Sequence, residues 1–444
     1  MNLRPLLPLE QAIDELVAGV DPLAEIEERT LGEAEGRILA RDVHARLDLP
    51  PWDNSAMDGY AVRSGDAGRQ LPVALRIVAG DGQRELPPDA AARIFTGAPL
   101  PFGADAVVMQ EDATLIGDEV VLPEAIRPGQ HRRPRAQECR SGELLLAAGR
   151  RLRPQDIGLL ASQGLARVAL RRRLRVALIS TGSELRDPDG SSLDSGQIYN
   201  SNRPMLLALL QRLGCETLDL GNVADSAAAT REVLARASEA SDLVLSSGGV
   251  SVGEEDHVRA AVESLGSIDL WRVAVKPGKP FAHGRIGDCP FMGLPGNPAS
   301  AFVTFLLLAR PWIQARQGRR EALPPALHAR AGFACDGSAR REEYLRVRLI
   351  AGPPTGTVSF AATDDAARRA AAPSVDDINA GGEADREAAG NDGVAMTWAA
   401  PFENQSSGIL RSLVAADALA RVPAGTELHR GDAVEILPLD LLLS

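Results

Sequence analysis

The sequence predicts a multidomain chain of mixed class, with a doubly wound α/β unit at its centre and β-rich segments on both sides. Three observations carry that prediction. At 444 residues the chain exceeds what one hydrophobic core usually organises. Between residues 175 and 316, short apolar runs alternate with helical periodicity, the pattern of a parallel sheet with crossover helices. Before and after that stretch, short strand-like runs punctuated by Gly, Pro, Asn and Asp take over.

In chain order, residues 1–45 carry helical patterning that returns at 145–170, so the chain leaves this region and comes back to it. Between about 50 and 140, turn-punctuated short strands describe a small β-rich domain. Residues 175–179 read as a buried strand ending in Ser180-Thr181-Gly182-Ser183-Glu184. A helix is expected from Asn202 as its cap, with Pro204 near its start and apolar residues at Met205, Leu206, Leu209, Leu210 and Leu213. A strand near 217–220, a helix at 228–238, a strand at 243–245, a helix at 256–265 and a strand at 270–275 follow. Residues 290–293 then feed a last helix from Pro298. Beyond about residue 322 short strands resume, including 343–350 and 432–437, and predict a C-terminal β domain. A low-complexity segment of Ala, Gly, Asp and Glu at 363–397 interrupts it and reads as a surface insertion.

Composition narrows the function. With 45% hydrophobic and 24% charged residues the chain reads as an ordinary soluble globular protein. A net charge of -12 argues against a nucleic-acid partner, which would need a clustered basic face. The N-terminus is too short in apolar residues and too rich in proline for a signal peptide. The longest apolar run, 301–309, ends at Arg310-Pro311 and cannot cross a bilayer, so a cytoplasmic location is expected. Cys139, Cys215, Cys289 and Cys335 show no CxxC spacing, and the six histidines are dispersed. Neither a disulfide framework, nor a transition-metal site, nor a Ser/His/Asp triad is signalled.

In an open α/β sheet the loops that follow successive strands line one crevice, here 180–184, 246–256 and 294–298. Ser246-Ser247-Gly248-Gly249-Val250-Ser251 lies between a strand and a helix, the setting of a phosphate cradle or of a plain turn. In Gly293-Leu294-Pro295-Gly296-Asn297-Pro298, Asn297 can cap a helix with Pro298 at its first position, aiming the helix's positive end into the crevice. The only two lysines, Lys276 and Lys279, sit in Val275-Lys276-Pro277-Gly278-Lys279-Pro280, and every other cation is an arginine. A compact ammonium fits a narrow oxyanion pocket that rejects a planar fork, although lysines flanked by Pro and Gly also mark exposed turns. Glu184, Asp225 and Asp256 fall on the expected crevice lip. They can serve Mg²⁺ beside a phosphate, or merely favour the first turn of a helix. Asp53-Asn54-Ser55-Ala56-Met57-Asp58-Gly59-Tyr60-Ala61 is a further polar string, distant in sequence.

Taken in order, Asn54-Ser55-Ala56-Met57-Asp58-Gly59-Tyr60-Ala61, Thr96-Gly97-Ala98-Pro99, Ser180-Thr181-Gly182, the Ser246–Ser251 loop, the lysine loop and Gly293–Pro298 resemble the motifs of the molybdopterin molybdenumtransferases, the bacterial MoeA and gephyrin E-domain family. The resemblance spans nearly the whole chain. It implies a helical linker domain (1–45 plus 145–172), a β domain (46–144), an α/β molybdopterin-binding domain (173–322) and a C-terminal β-barrel-like domain (323–444). It also implies a cytoplasmic homodimer that binds adenylylated molybdopterin, inserts molybdate and releases AMP with Mg²⁺ present. In such a dimer, Asp58 and Thr96 of one subunit face the 246–256 loop of the other. By motif, Asp256, Glu184, Asp225 and Asp58 carry over as catalytic acids, and the first three also as Mg²⁺ ligands. Ser246, Ser247, Gly248, Gly249, Ser251, Thr96, Pro295, Gly296, Asn297 and Pro298 carry over as binding residues, Lys276 and Lys279 as the anion-binding pair, and Ser300 and Ser407 as molybdate holders. The implied partners are small molecules, with transient contacts to a molybdopterin adenylyltransferase and to molybdoenzyme maturation proteins. The chain departs from the family where Ala136-Gln137-Glu138-Cys139 replaces the usual Gly-Glu-Asp-Ile, and where Trp52 replaces a phenylalanine. The rival readings are a molybdopterin adenylyltransferase, which leaves three domains unexplained, and a non-enzymatic carrier or scaffold.

Overall fold

A computed structural model describes residues 6–223, 226–249, 257–319, 323–355, 358–360 and 396–443. The chain divides into two compact units, residues 28–35 with 39–170, and residues 1–27 with 36–38 and 171–444. Each has its own core. Asp225, Ser251, Asp256 and nearly all of the 363–397 insertion lie outside the described residues.

The smaller unit is built on six strands in the order Ala106–Met109, Gly59–Val62, Ala91–Ile94, Gln70–Ile77, Glu119–Val121 and Thr114–Ile116. Only the pairing of Ala91–Ile94 with Gln70–Ile77 is parallel. Because successive side chains point to opposite faces, Tyr60, Val62 and Val108 enter one apolar cluster while Ala61, Val107 and Ile94 enter another. The sheet is therefore covered on both sides. Ala136 adopts φ +58, a left-handed conformation that costs a side chain and that glycine takes freely. This is the position where the family resemblance implies a glycine.

In the larger unit the strand order is Glu216–Val223, Arg175–Thr181, Leu243–Ser247, Cys289–Leu294, Pro280–Ile286 and Gly266–Arg272. The first four run parallel, and Leu243–Ser247 is buried throughout, as a strand covered by helices on both faces must be. The expected helices appear as Asn202–Arg212, Ala227–Ala240, His257–Leu265 and Pro298–Thr304. The last continues through a π segment, Phe305–Ala309, into Arg310–Arg316. That wider turn falls just before Pro311, whose missing N–H an ordinary α turn would not accommodate. No helix among the described residues is long and apolar enough to cross a membrane.

Four expectations are corrected. Pro280–Ile286 is an unforeseen antiparallel strand between Cys289–Leu294 and Gly266–Arg272. The single strand expected at 270–275 is two, Gly266–Arg272 in this sheet and Val275–Lys276, which leaves it to pair with Glu342–Ala351. In residues 6–45 the α-helix is confined to Leu9–Val17, whose Leu9, Ala12, Ile13 and Leu16 pack in one core with Trp312 and Ile313. Asn202 does not cap its helix. The carbonyl oxygen of the Asn200 side chain accepts the Arg203 N–H at 3.1 Å instead, which releases the Asn202 amide for the cavity below.

The C-terminal strands Leu327–Ala331, Glu342–Ala351, Thr397–Pro401, Ala418–Val422 and Ala433–Pro438 each pair with two others of the set and close into a five-stranded barrel. Phe333, Leu345, Val347, Ala420 and Ile436 lie in its core cluster.

Candidate active site

The sheet order reverses between Arg175–Thr181 and Leu243–Ser247, and a cavity of about 810 Å³ opens at the carboxyl ends of these strands. Thr181, Gly182 and Glu184 line it from the first loop, Ser247, Gly248 and Gly249 from the second, and Pro295, Gly296, Asn297 and Pro298 from the third. The three loops expected to share one crevice meet here. Asn202, His257 and Pro298, which stand at the starts of three helices, also line it, so several positive helix ends face one space. Among the described lining residues there is no lysine or arginine.

Ser246 and Ser247 have different roles. Ser246 is fully buried, and its hydroxyl donates to the Gly248 carbonyl at 2.8 Å, which braces the turn from inside. Ser247 faces the cavity, and its Oγ accepts from the Asn202 Nδ2 at 3.0 Å. The same Nδ2 donates to the Gly296 carbonyl at 2.7 Å, so one buried amide ties the second loop to the third. Sequence reasoning missed Asn202 as a site residue. No local signal marks it, because its partners Ser247 and Gly296 lie 45 and 94 residues away in the chain.

Gly248 and Gly249 sit at φ +88 and +67. A Cβ on Gly248 would lie 2.9 Å from the Thr181 carbonyl oxygen, and one on Gly249 would lie 2.5 Å from Val258 Cγ2. The Gly248 N–H donates to the Leu294 carbonyl at 3.1 Å, so that amide braces the turn rather than standing open for an anion.

Asn297 occupies the N-cap position without a side-chain capping bond. Its Nδ2 instead donates to Ser407 Oγ at 3.1 Å, while the Ala299 N–H donates to the Ser407 carbonyl at 3.0 Å. Ser300, buried on the first turn of the same helix, lines the cavity, as does Gly408. The loop carrying Ser407 is fixed by Arg346, which is 1% exposed. Its guanidinium donates to Ser412 Oγ at 3.2 Å and to the carbonyls of Tyr344 and Ser406 at 3.4 and 3.3 Å. Gln405 pairs with the Arg346 backbone N–H and carbonyl, both at 2.9 Å. Arg346 was also missed, because its strand carries Glu342, Glu343 and Arg348 as well and nothing local sets it apart.

The lysines do not share the first cavity, and the reading of one crevice is corrected here. Lys276 and Lys279 line a second cavity of about 520 Å³ with Arg272, Arg340, Arg341 and Glu343. The cause is the departure of Val275–Lys276 from the α/β sheet onto the barrel strand, which carries the side chains toward the C-terminal domain. The loop still touches both spaces, because Pro280 lines the first cavity. A Cβ on Gly278 would lie 2.3 Å from Thr304 Oγ1 and 3.7 Å from the Ser300 carbonyl oxygen.

Of the acids, Glu184 lines the first cavity, and its carboxylate packs so close to Gly182 that a Cβ there would approach Oε2 to 2.6 Å. In the smaller unit, Asp58 Oδ1 accepts from the Thr96 backbone N–H and from its hydroxyl, both at 2.8 Å. The N–H and then the hydroxyl hold the Asp58 carboxyl below the ordinary aspartate range. A depressed folded value means a contribution present above the unfolded pKa and lost as pH falls through the folded one. Thr96→Val, which removes the hydroxyl and keeps the N–H, is expected to raise the Asp58 titration midpoint toward the ordinary value in a carboxyl NMR titration. An unchanged midpoint would show that the hydroxyl does not act on the carboxylate.

Comparison with known proteins follows the same architecture. A model of the MoeA N-terminal region, domains I and II, matches residues 7–164, a probable molybdopterin binding domain matches 177–315, and the MoeA C-terminal region, domain IV, matches 394–439. The chain is similar to the molybdopterin molybdenumtransferase of Haemophilus influenzae, at 41% identity over 346 residues covering 77% of this chain and 85% of that protein. The corresponding protein of a Nostoc species is 38% identical over 362 residues, covering 77% and 83%. Among solved structures, one of the MoeA protein of molybdopterin biosynthesis from Pyrococcus horikoshii superposes with a TM-score of 0.72 at 29% identity, covering 98% of this chain and 99% of that one.

Proposed function

Since this chain belongs to the MoeA family and is a transferase that inserts molybdenum into molybdopterin in molybdenum cofactor biosynthesis, we propose that its substrates are adenylylated molybdopterin and molybdate and that AMP is released. The observation that supports this most is the pairing of two unlike cavities by one loop. One is lined by helix starts, hydroxyls and amides, and the other by Arg272, Lys276, Lys279, Arg340 and Arg341 around a single described carboxylate. A nucleotide-linked pterin needs many directional donors, whereas a small tetrahedral dianion needs compact positive charge.

In this reading Ser247, Gly249, Pro295, Gly296, Asn297 and Pro298 hold the phosphorylated pterin, with Ser246 and the Gly248 amide bracing the turn beneath it. Lys276, Lys279, Ser300 and Ser407 hold molybdate where the two cavities approach each other. Glu184 is a hard oxygen donor on the cavity wall, and Mg²⁺ takes one or two carboxylates together with substrate oxygens, so the residue fits that ion. Bound there, Mg²⁺ supplies neutralisation of charge on the phosphoanhydride. Asp225, Asp256 and Ser251 keep the roles the family resemblance assigns them. Cleavage then relies on positioning and charge stabilisation, with no covalent nucleophile. We assign the protein to the cytoplasm as a homodimer in which Asp58 and Thr96 serve the cavity of the second copy, with transient contacts to the adenylyltransferase before it and to maturation proteins after it.

The test is product analysis. Purified protein with adenylylated molybdopterin and Mg²⁺ is expected to release AMP only when molybdate is added. Pyrophosphate release from ATP would instead indicate an adenylyltransferase, and binding without any turnover would indicate a carrier.

A further inference from the structure

We propose that Glu343 is a positioning residue that holds the Lys276 ammonium in the cationic cavity. This rests on the reading of Lys276 and Lys279 as the oxyanion-binding pair. Lys276 Nζ lies 3.2 Å from Glu343 Oε1, and the two side chains are 13% and 1% exposed. The geometry is fixed by backbone as well as by charge, because Lys276 and Glu343 are direct partners in the parallel pairing of Val275–Lys276 with Glu342–Ala351. The adjacent Glu342 turns the other way and takes Arg421 at 2.9 Å and the Tyr344 hydroxyl at 3.0 Å. Alternation along the strand therefore assigns one carboxylate to Arg421 and Tyr344 and the other to the lysine.

The charges explain why a carboxylate belongs there. Four further cations, Arg272, Lys279, Arg340 and Arg341, line the same cavity, and Glu343 is the one acidic residue among its described lining. A largely buried ammonium beside four like charges would swing out or bind its anion loosely without a fixed counter-charge. With one carboxylate against five cations the cavity keeps a net positive balance for an arriving dianion. Glu343 touches no substrate in this scheme and acts through Lys276.

The composition supplies the experiment. Protein grown with lysine labelled at Cε shows two lysine side-chain signals, because the chain contains only Lys276 and Lys279. A Lys276→Arg sample, which loses one of them, assigns the pair. Titration of the intact protein with molybdate is expected to move both signals with one dissociation constant. In Glu343→Gln, the Lys276 signal is expected to move toward that of a freely rotating lysine, the Lys279 signal to stay, and the molybdate dissociation constant to rise at least about tenfold. Glu343→Asp, which keeps the charge on a shorter arm, is expected to fall between and covers the case of a glutamine variant that does not fold. A merely structural glutamate would move both lysine signals together. Wild-type signals and affinity in Glu343→Gln would overturn the positioning role while leaving the lysine reading intact. Two wild-type signals that ignore molybdate would overturn the lysine reading and this inference with it.

Discussion

Gly249→Ala is expected to weaken binding of adenylylated molybdopterin about a hundredfold while leaving the protein folded. Two costs add. An alanine held at φ +67 loses about 1–2 kcal/mol relative to glycine. Its Cβ would also lie 2.5 Å from Val258 Cγ2 and 2.9 Å from Thr181 Oγ1, closer than real Cβ contacts come. Val258 cannot yield easily, being 2% exposed in a cluster with Ile179, Val244 and Val262. The turn must move instead, and it carries the cavity wall with it. A combined penalty of about 3 kcal/mol corresponds to about two decades of affinity. Calorimetric titration measures it directly. Gly296→Ala is the comparison variant for folding, because nothing lies within 4 Å of a Cβ there and its φ is not in the left-handed region. Wild-type ligand affinity in Gly249→Ala would show that this turn does not shape the binding surface.

The second large effect is on stability. Arg346→Met is expected to destabilise the larger unit by about 3–4 kcal/mol, read as a lower urea midpoint at unchanged slope. Methionine matches much of the aliphatic bulk but donates nothing. Ser412 Oγ and the carbonyls of Tyr344 and Ser406 would lose their guanidinium donor inside the protein. Each such loss costs about 1 kcal/mol or more when the acceptor cannot reach water. Lysine should not rescue, since a single ammonium cannot span three acceptors that a planar fork reaches together. The loop carrying Ser407 should loosen at the same time, which limited proteolysis would register. A loss below about 1 kcal/mol would mean that this loop is held by Gln405 and the backbone alone.

How far the sequence could be read depended on how local each signal was. The α/β unit was legible because fully buried strands such as Leu243–Ser247 write themselves as continuous apolar runs between helical periods. The meeting of three loops in one cavity followed from topology. The destination of the lysines did not, because it is set by a two-residue strand whose partner lies 67 positions further on. Pro280–Ile286 escaped because Pro, His, Gly and Arg dilute its pattern, and its place between two strands is what makes it extended. Asn202 looked like a helix cap, and Arg346 drew no reading of its own within the expected 343–350 strand. Their importance lies in partners 45 to 94 and 60 to 66 residues away, a scale on which spacing rules are silent.

The closed ring of C-terminal strands bears on how this chain can change over time. A ring has no unpaired rim, so nothing at its margin invites a neighbouring chain to add a strand. The segment between Phe360 and Thr397 precedes one ring strand, Thr397–Pro401, and takes no part in the pairing of Glu342–Ala351 with Ala418–Val422, the seam that completes the ring. Length can therefore be gained or lost in that segment without reopening the seam, which explains how so long and compositionally simple a stretch came to be tolerated inside a compact domain.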